Sequence, residues 1–230
     1  MTDTILYTLL GGILPALVWL LFWLREDYKH PEPRALLLKA FLFGMLAVLL
    51  VIPFQKLTQS LVLNSTALAL LIWAAFEELF KLGAAYFGGM RSVEDNEPLD
   101  PLIYMITAAL GFAALENAMF LVEPLLNESV LSQSFFLTGN LRFIGASLLH
   151  VVASGIVGAS LAFTFYKSFS IRLVAVVSAT LIAIIFHTLF NLMIIELGGM
   201  GMLYALLSVW VGVILLLLTF ERVKTIAPKL

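Results

Sequence analysis

The 230-residue chain is 62% hydrophobic and only 12% charged, with a mean hydropathy of +1.05, an apolar load that a water-facing surface could not cover. Its formal net charge of −2 and the lack of a long basic run exclude a nucleic-acid partner. With no cysteine, disulfides, thiolate nucleophiles and thiolate metal sites are excluded as well, which leaves oxygen and imidazole chemistry.

The hydrocarbon core of a bilayer is about 30 Å thick, so a helix rising about 1.5 Å per residue needs roughly 20 apolar residues to cross it. Residues 4–24 form the first such segment. It lacks a basic n-region and ends in Trp23, Leu24 and Arg25 rather than a small-residue cleavage site, so it reads as a retained span and not a signal peptide. Residues 35–54 form the second, and 66–90 the third, which carries Glu77, Glu78 and Lys81 within one helical turn. A cytoplasmic connector over 91–101 follows, with Glu94, Asp95, Glu97 and Asp100, and reads as a solvated acidic loop. The fourth segment, 102–122, contains Glu116 and Asn117. The external connector 123–142, with Phe135 and Phe136, is suited to rest on the outer interface or to cover whatever opens there. The fifth segment, 143–169, holds His150; the sixth, 173–195, holds His187 and Asn191; the seventh is 202–220.

In lipid each segment must close its backbone hydrogen bonds internally, so each is predicted to be a helix. The fold expected is all-α, a polytopic transmembrane helical bundle of about seven spans that forms a single domain over residues 1–230. Arg25, Lys29, Arg34, Lys39, Arg91, Lys167, Arg172, Arg222, Lys224 and Lys229 fall on one side of this map, and Lys56 and Arg142 on the other. The positive-inside rule then puts the N-terminus outside and the C-terminus in the cytoplasm.

Ionisable side chains at membrane depth cost at least about 2.5–3.5 kcal/mol each on insertion scales, so each requires a partner or a function. Glu77 and Lys81 form an i,i+4 pair, and Glu78 is also within reach of Lys81. Adjacent helical residues diverge by about 100°, so one carboxylate can neutralise Lys81 while the other is presented to a site. Glu116 has no basic neighbour in sequence and needs a partner from another helix, a metal ion or a proton. His187 and Asn191, four apart, share a helix face. Counted from the external end of each span, His150, His187 and Glu116 lie roughly 9–12 Å deep and Glu78 roughly 18 Å. Four unrelated polar residues would have no reason to share that level. Arg142, at the mouth of the fifth span, reads as an interfacial anchor, and Ser154 with Gly158 and Gly155 with Ala159 as small-residue helix-packing pairs.

Two imidazoles with one or two carboxylates suit a zinc site that keeps a position open for water. The soluble zinc-protease signature His-Glu-x-x-His is absent. A proton relay for transport, or a structural network in a non-catalytic membrane scaffold, uses the same residue types.

At these residues the chain resembles the PrsW family of intramembrane proteases, related to the CAAX prenyl protease and bacteriocin-processing superfamily. The resemblance rests on Glu77-Glu78-x-x-Lys81, the stretch from Gly111 to Glu116-Asn117, His150, and His187-x-x-x-Asn191, in order on four successive spans. It departs from the CAAX-type relatives, which carry Glu-Glu-x-x-x-Arg and a histidine where this chain has Glu116. It implies a multi-pass protein of the bacterial cytoplasmic membrane, with its catalytic core at about residues 66–196. That protein would cut a membrane-anchored protein such as an anti-sigma factor near the external face. Under the resemblance Glu77, Glu78, Lys81 and Asn191 are expected catalytic residues. Glu78, Glu116, His150 and His187 are the expected ligands of a divalent metal, zinc by chemistry. The partners are a membrane-anchored protein substrate and the lipid bilayer.

Overall fold

The computed structural model describes residues 2–62, 65–127 and 139–226. Among these are seven long helices and no strand: α1 (Thr2–Leu24), α2 (Arg34–Leu61), α3 (Thr66–Ala85), α4 (Asp100–Asn127), α5 (Ser147–Phe163), α6 (Phe169–Glu196) and α7 (Gly198–Val223). A π-helical turn, Tyr86–Met90, continues α3, and a second, Arg142–Ala146, leads into α5. Six of the helices are long and apolar enough to cross a membrane. The exception is α3, whose 20 residues include Glu77, Glu78 and Lys81. The chain is thus an all-α, multi-pass membrane protein.

Several boundaries differ from those expected, most of all in the second and fifth spans. α2 does not stop at Phe54 but runs on through Pro53 and Gln55 to Leu61, because a proline is tolerated in a spanning helix when neighbours satisfy the freed carbonyl. The fifth span ends at Phe163, and Phe169 begins α6. Phe135 and Phe136 of the external connector, and Lys229, lie outside the described residues.

α4 is the axis of the bundle. Its span and that of α5 are each 72% buried, against 22% for that of α1 and 28% for that of α7. Leu102, Ile103, Ile106, Leu110 and Ala114 pack with α1, α5 and α7, while Tyr104, Met105, Ala108 and Phe112 pack with α2, α3 and α5. Gly111 allows α2 to cross close to α4: a β-carbon there would collide with the backbone of Phe41. Gly12 does the same between α1 and the backbone of Ala114 and Ala118. Exposed Leu10, Leu14, Leu21, Leu181, Ile185, Leu207 and Leu215 form the outward faces, the apolar surface that lipid requires.

The small-residue pairs on α5 divide their roles. Gly158 packs on Leu102 and Met105 of α4, and Gly155 on Leu216 of α7. Ser154 instead turns toward the buried polar cluster, with Oγ 3.5 Å from Glu78 Oε2.

The connector before α4 is less solvated than its acidity suggests. Asp100 is buried and its Oδ2 accepts the backbone N–H groups of Asn96 (2.8 Å) and Glu97 (2.7 Å). Glu32, from the loop between α1 and α2, is buried nearby: its N–H donates to Asp27 Oδ2 (3.2 Å), and the Tyr104 hydroxyl donates to its carboxylate. Glu94 remains exposed.

Candidate active site

α3, α4, α5 and α6 bring Glu77, Glu78, Lys81, Glu116, His150 and His187 into one connected cluster. Glu78 is its pivot. One carboxylate oxygen, Oε1, lies 2.6 Å from Lys81 Nζ and 2.7 Å from His187 Nδ1. The lysine therefore pairs with the residue three positions before it, not with Glu77. This resolves the ambiguity left by the adjacent glutamates: Glu78 neutralises Lys81, and Glu77 is the carboxylate presented elsewhere.

Hydrogen-bond chemistry fixes the protons on both rings. The Glu78 carboxylate can only accept, so His187 carries a proton on Nδ1, and in the neutral ring this leaves the lone pair on Nε2. That nitrogen faces Glu77 Oε2 at 3.5 Å. The other Glu77 oxygen, Oε1, accepts from Gln55 Nε2 at 2.9 Å, whereas Oε2 is buried without a hydrogen-bond partner. His150 is held the opposite way. Lys81 Nζ donates to Nδ1 at 3.0 Å, so the ring proton is on Nε2, where it donates to Glu116 Oε2 at 3.1 Å. The two rings meet edge to face with centroids 5.2 Å apart. Phe112 packs against His150 and under the Lys81 ammonium, closing the cluster toward α4.

Glu116 finds its counter-charge in Arg142, whose Nη2 donates to the same oxygen that receives His150. Arg142 Nε also donates to Asn117 Oδ1 at 2.6 Å, and Asn117 Nδ2 donates to Ser147 Oγ at 2.9 Å. Arg142 is therefore a member of the cluster and not merely an interfacial anchor. Asn191 is half-buried one turn beyond His187 and enters none of the hydrogen bonds that knit the cluster together.

Glu77, His150 and His187 each offer one ligand atom, all within 4.8 Å of one another. The donor set is two imidazoles and a carboxylate, which suits zinc. Ligands about 2.0–2.1 Å from a tetrahedral zinc are about 3.4 Å apart, close to the Glu77–His187 separation of 3.5 Å. The unpartnered Glu77 oxygen and the free His187 lone pair fit such an ion. His150 is near enough, but both of its ring nitrogens are already engaged. This geometric set contains Glu77 where the sequence suggested Glu78 and Glu116: Glu78 is committed to Lys81 and His187, and Glu116 to Arg142 and His150.

Gln55, Asn117, Ser147, Ser154 and Arg142 join the cluster without having been anticipated as site residues. A basic residue on the external side of the map, where only Lys56 accompanies it, was the available signal for Arg142. Gln55 was hidden by ending its span at Pro53-Phe54.

A family model described as PrsW family intramembrane metalloprotease matches residues 32–219. Among individual proteins, the chain is 32% identical over 114 residues to the Protease PrsW of Geobacillus kaustophilus, covering 49% of this chain and 51% of that protein. It is 29% identical over 116 residues to the Protease PrsW of Halalkalibacterium halodurans, with coverage of 50% and 54%. To that of Oceanobacillus iheyensis it is 26% identical over 186 residues, with coverage of 79% and 80%. The match spans about half the length of the first two relatives. No solved structure matches the chain. With a family match that starts before α2, takes in all four helices of the buried cluster and ends within α7, the chain belongs to the PrsW family of intramembrane metalloproteases.

Proposed function

We propose that this chain is an intramembrane protease of the bacterial cell membrane, hydrolysing a peptide bond in a membrane-anchored protein near the external membrane face. An anti-sigma factor is the substrate class the resemblance implies. The lysine and arginine bias supports an external N-terminus and a cytoplasmic C-terminus. Helices α3 to α6 supply the main site residues, which supports a catalytic core over residues 66–196, with Gln55 added from α2. The observation that carries the proposal is Glu77 Oε2, buried without a partner and 3.5 Å from the free nitrogen of His187. Such an arrangement is costly as pure structure, because a buried carboxylate oxygen without a hydrogen bond loses its hydration for nothing.

Glu77 and His187 have free ligand atoms for a divalent cation, and His150 would join them by giving up one of its two ring hydrogen bonds. When bound, a zinc ion lowers the pKa of water toward about 7 and polarises the scissile carbonyl. The chain's own groups divide the remaining work. Glu78 takes the Nδ1–H of His187 and fixes which ring nitrogen faces the reacting space, the usual task of a carboxylate behind a ligand histidine. Where Glu77 holds no metal, its Oε2 is free to receive the proton of the attacking water and pass it to the amide nitrogen as the C–N bond breaks. Asn191, one turn from His187, orients the carbonyl and donates to its developing negative charge. The near-complete burial of Glu78, Lys81, His150 and His187 excludes bulk water, which strengthens each of these interactions.

The test is cleavage of a single-span reporter protein by the purified chain in lipid vesicles. Glu77→Gln and His187→Ala are expected to abolish cleavage while leaving membrane insertion intact. Unchanged cleavage in both variants removes the proposal. Uptake driven by a pH gradient in the same vesicles, with no cleavage, would replace it with proton-coupled transport.

A further inference from the structure

The cluster is not evenly sealed. The side chains of Glu78 and Lys81 are 0% exposed, and those of His150, His187 and Glu77 are 2%, 3% and 6% exposed. Glu116 and Arg142 are 18% and 16% exposed. The site therefore opens where these two meet. Arg142 sits on the π-helical turn Arg142–Ala146, a local widening often found at functional positions. The turn is tied down from α1, because Trp19 Nε1 donates to the Phe143 carbonyl at 3.0 Å and its ring packs on Phe143. Beside it is a cavity of about 330 Å³ lined by Leu14, Val18, Leu121, Asn140 and Phe143 among others.

We propose that Arg142 is a positioning residue: its guanidinium holds the Glu116 carboxylate on the Nε2–H of His150 at the open side of the site, and so helps to set which nitrogen of that ring carries the proton. The inference rests on the protease reading above. Three contacts carry it. Nη2 donates to Glu116, Nε donates to Asn117, and the guanidinium carbon Cζ lies over the Phe120 ring, 3.9 Å from its centroid. A planar fork that bridges two neighbouring acceptors while stacking on a ring is available to arginine and not to lysine. Asn117 is in turn oriented by Ser147, so the fork has a fixed seat. On the inner side, Lys81 occupies Nδ1 of the same ring. His150 is thereby held between a cation at one nitrogen and, through Arg142, an anion at the other. Loss of the guanidinium frees Glu116 to swing outward, and His150 then loses the acceptor that keeps its proton on Nε2.

The full chain in lipid vesicles, with the single-span reporter, tests this. No cleavage by the unaltered chain overturns the protease reading and this inference with it. If the unaltered chain cleaves, Arg142→Ala is expected to lower kcat about tenfold or more with KM little changed, the scale of one charge-assisted hydrogen bond. Millimolar guanidinium should restore much of that loss by entering the vacated, partly exposed seat, which a merely structural defect would not allow. Arg142→Lys is expected to behave like Arg142→Ala. Should Arg142→Ala fail to fold, Arg142→Gln, which keeps a donor and most of the packing, replaces it with the same expectation for kcat. Full activity in the folded variant, or a loss that guanidinium leaves untouched in Arg142→Ala, overturns the inference.

Discussion

Lys81 Nζ lies 3.0 Å from His150 Nδ1, and an ammonium has only protons to offer. The ring must accept there, and its own proton is therefore on the far nitrogen, toward Glu116. Lys81 is fully buried and donates at the same time to Glu78 at 2.6 Å. It thus sets the state of both halves of the site, His150 directly and His187 through Glu78.

Replacing Lys81 with Met should keep the volume but strand the Glu78 carboxylate in the bilayer interior. Removing one partner of a buried ion pair costs about 3–5 kcal/mol, so the variant is expected to melt well below the parent in detergent and to lose cleavage. A double variant, Lys81→Met with Glu78→Gln, removes both charges and is expected to recover much of the stability without recovering activity. A thermal unfolding series on the three proteins checks this; equal melting temperatures in parent and single variant would contradict the assigned pairing.

Glu77 and Glu78 are adjacent in sequence but differ in task, and zinc binding separates them. On the proposed assignment, Glu77→Gln removes a carboxylate ligand. Glu78→Gln removes the group that orients His187 from behind, which typically costs about 10–100-fold in metal affinity. Zinc titration of purified protein stripped by a chelator is expected to show the larger loss for Glu77→Gln and the smaller for Glu78→Gln. Chelation alone should abolish cleavage by the parent, and added zinc should restore it. Loss of zinc in neither variant would remove the metal assignment.

On the opposite side of the bundle, Glu32 predicts a pH effect on stability that is independent of cleavage. Burial, together with the hydrogen bond to Asp100 and the negative charges of Asp100 and Asp27, pushes its carboxyl up from 4.5 to about 8, against the opposing effect of the Tyr104 hydroxyl. The folded chain then holds a proton that the unfolded chain releases over that range. Its contribution to stability is fully present below about pH 4.5 and is lost as the pH rises toward about 8. Glu32→Gln, which mimics the protonated form, is expected to match the parent at pH 5 and to melt higher than it at pH 8.5. Parallel melting curves for the two proteins at both pH values would contradict this.

The helices were legible because the bilayer leaves the backbone few alternatives: a run of about 20 apolar residues can only close its hydrogen bonds as a helix. The unusual residues at depth were legible for a related reason. A charge in hydrocarbon demands a partner, and Glu77, Glu78, Lys81, Glu116, His150 and His187 met that demand with one another and with Arg142. What sequence could not supply was the pairing. Glu77 and Glu78 are each within helical reach of Lys81, and only the rotation of α3 against α5 and α6 decides that Glu78 takes it. Gln55 and Arg142 were obscured because each sits at a boundary, the first behind a proline that looked like a helix end and the second on a π-helical turn that re-aims it inward. Ser154 was obscured by its size, since a small residue on a membrane helix fits packing and hydrogen bonding equally well.

The charges of α3 also bear on how the chain comes to be assembled. Alone, that helix would carry Glu77, Glu78 and Lys81 into lipid at a penalty of about 2.5–3.5 kcal/mol apiece on insertion scales, only partly offset by the Glu78–Lys81 pair. The histidines that complete its polar contacts reside on α5 and α6, which leave the ribosome later. α3 is therefore expected to settle fully in lipid once those segments arrive. A chain truncated after α4 is accordingly expected to expose α3 to proteases that the whole chain resists.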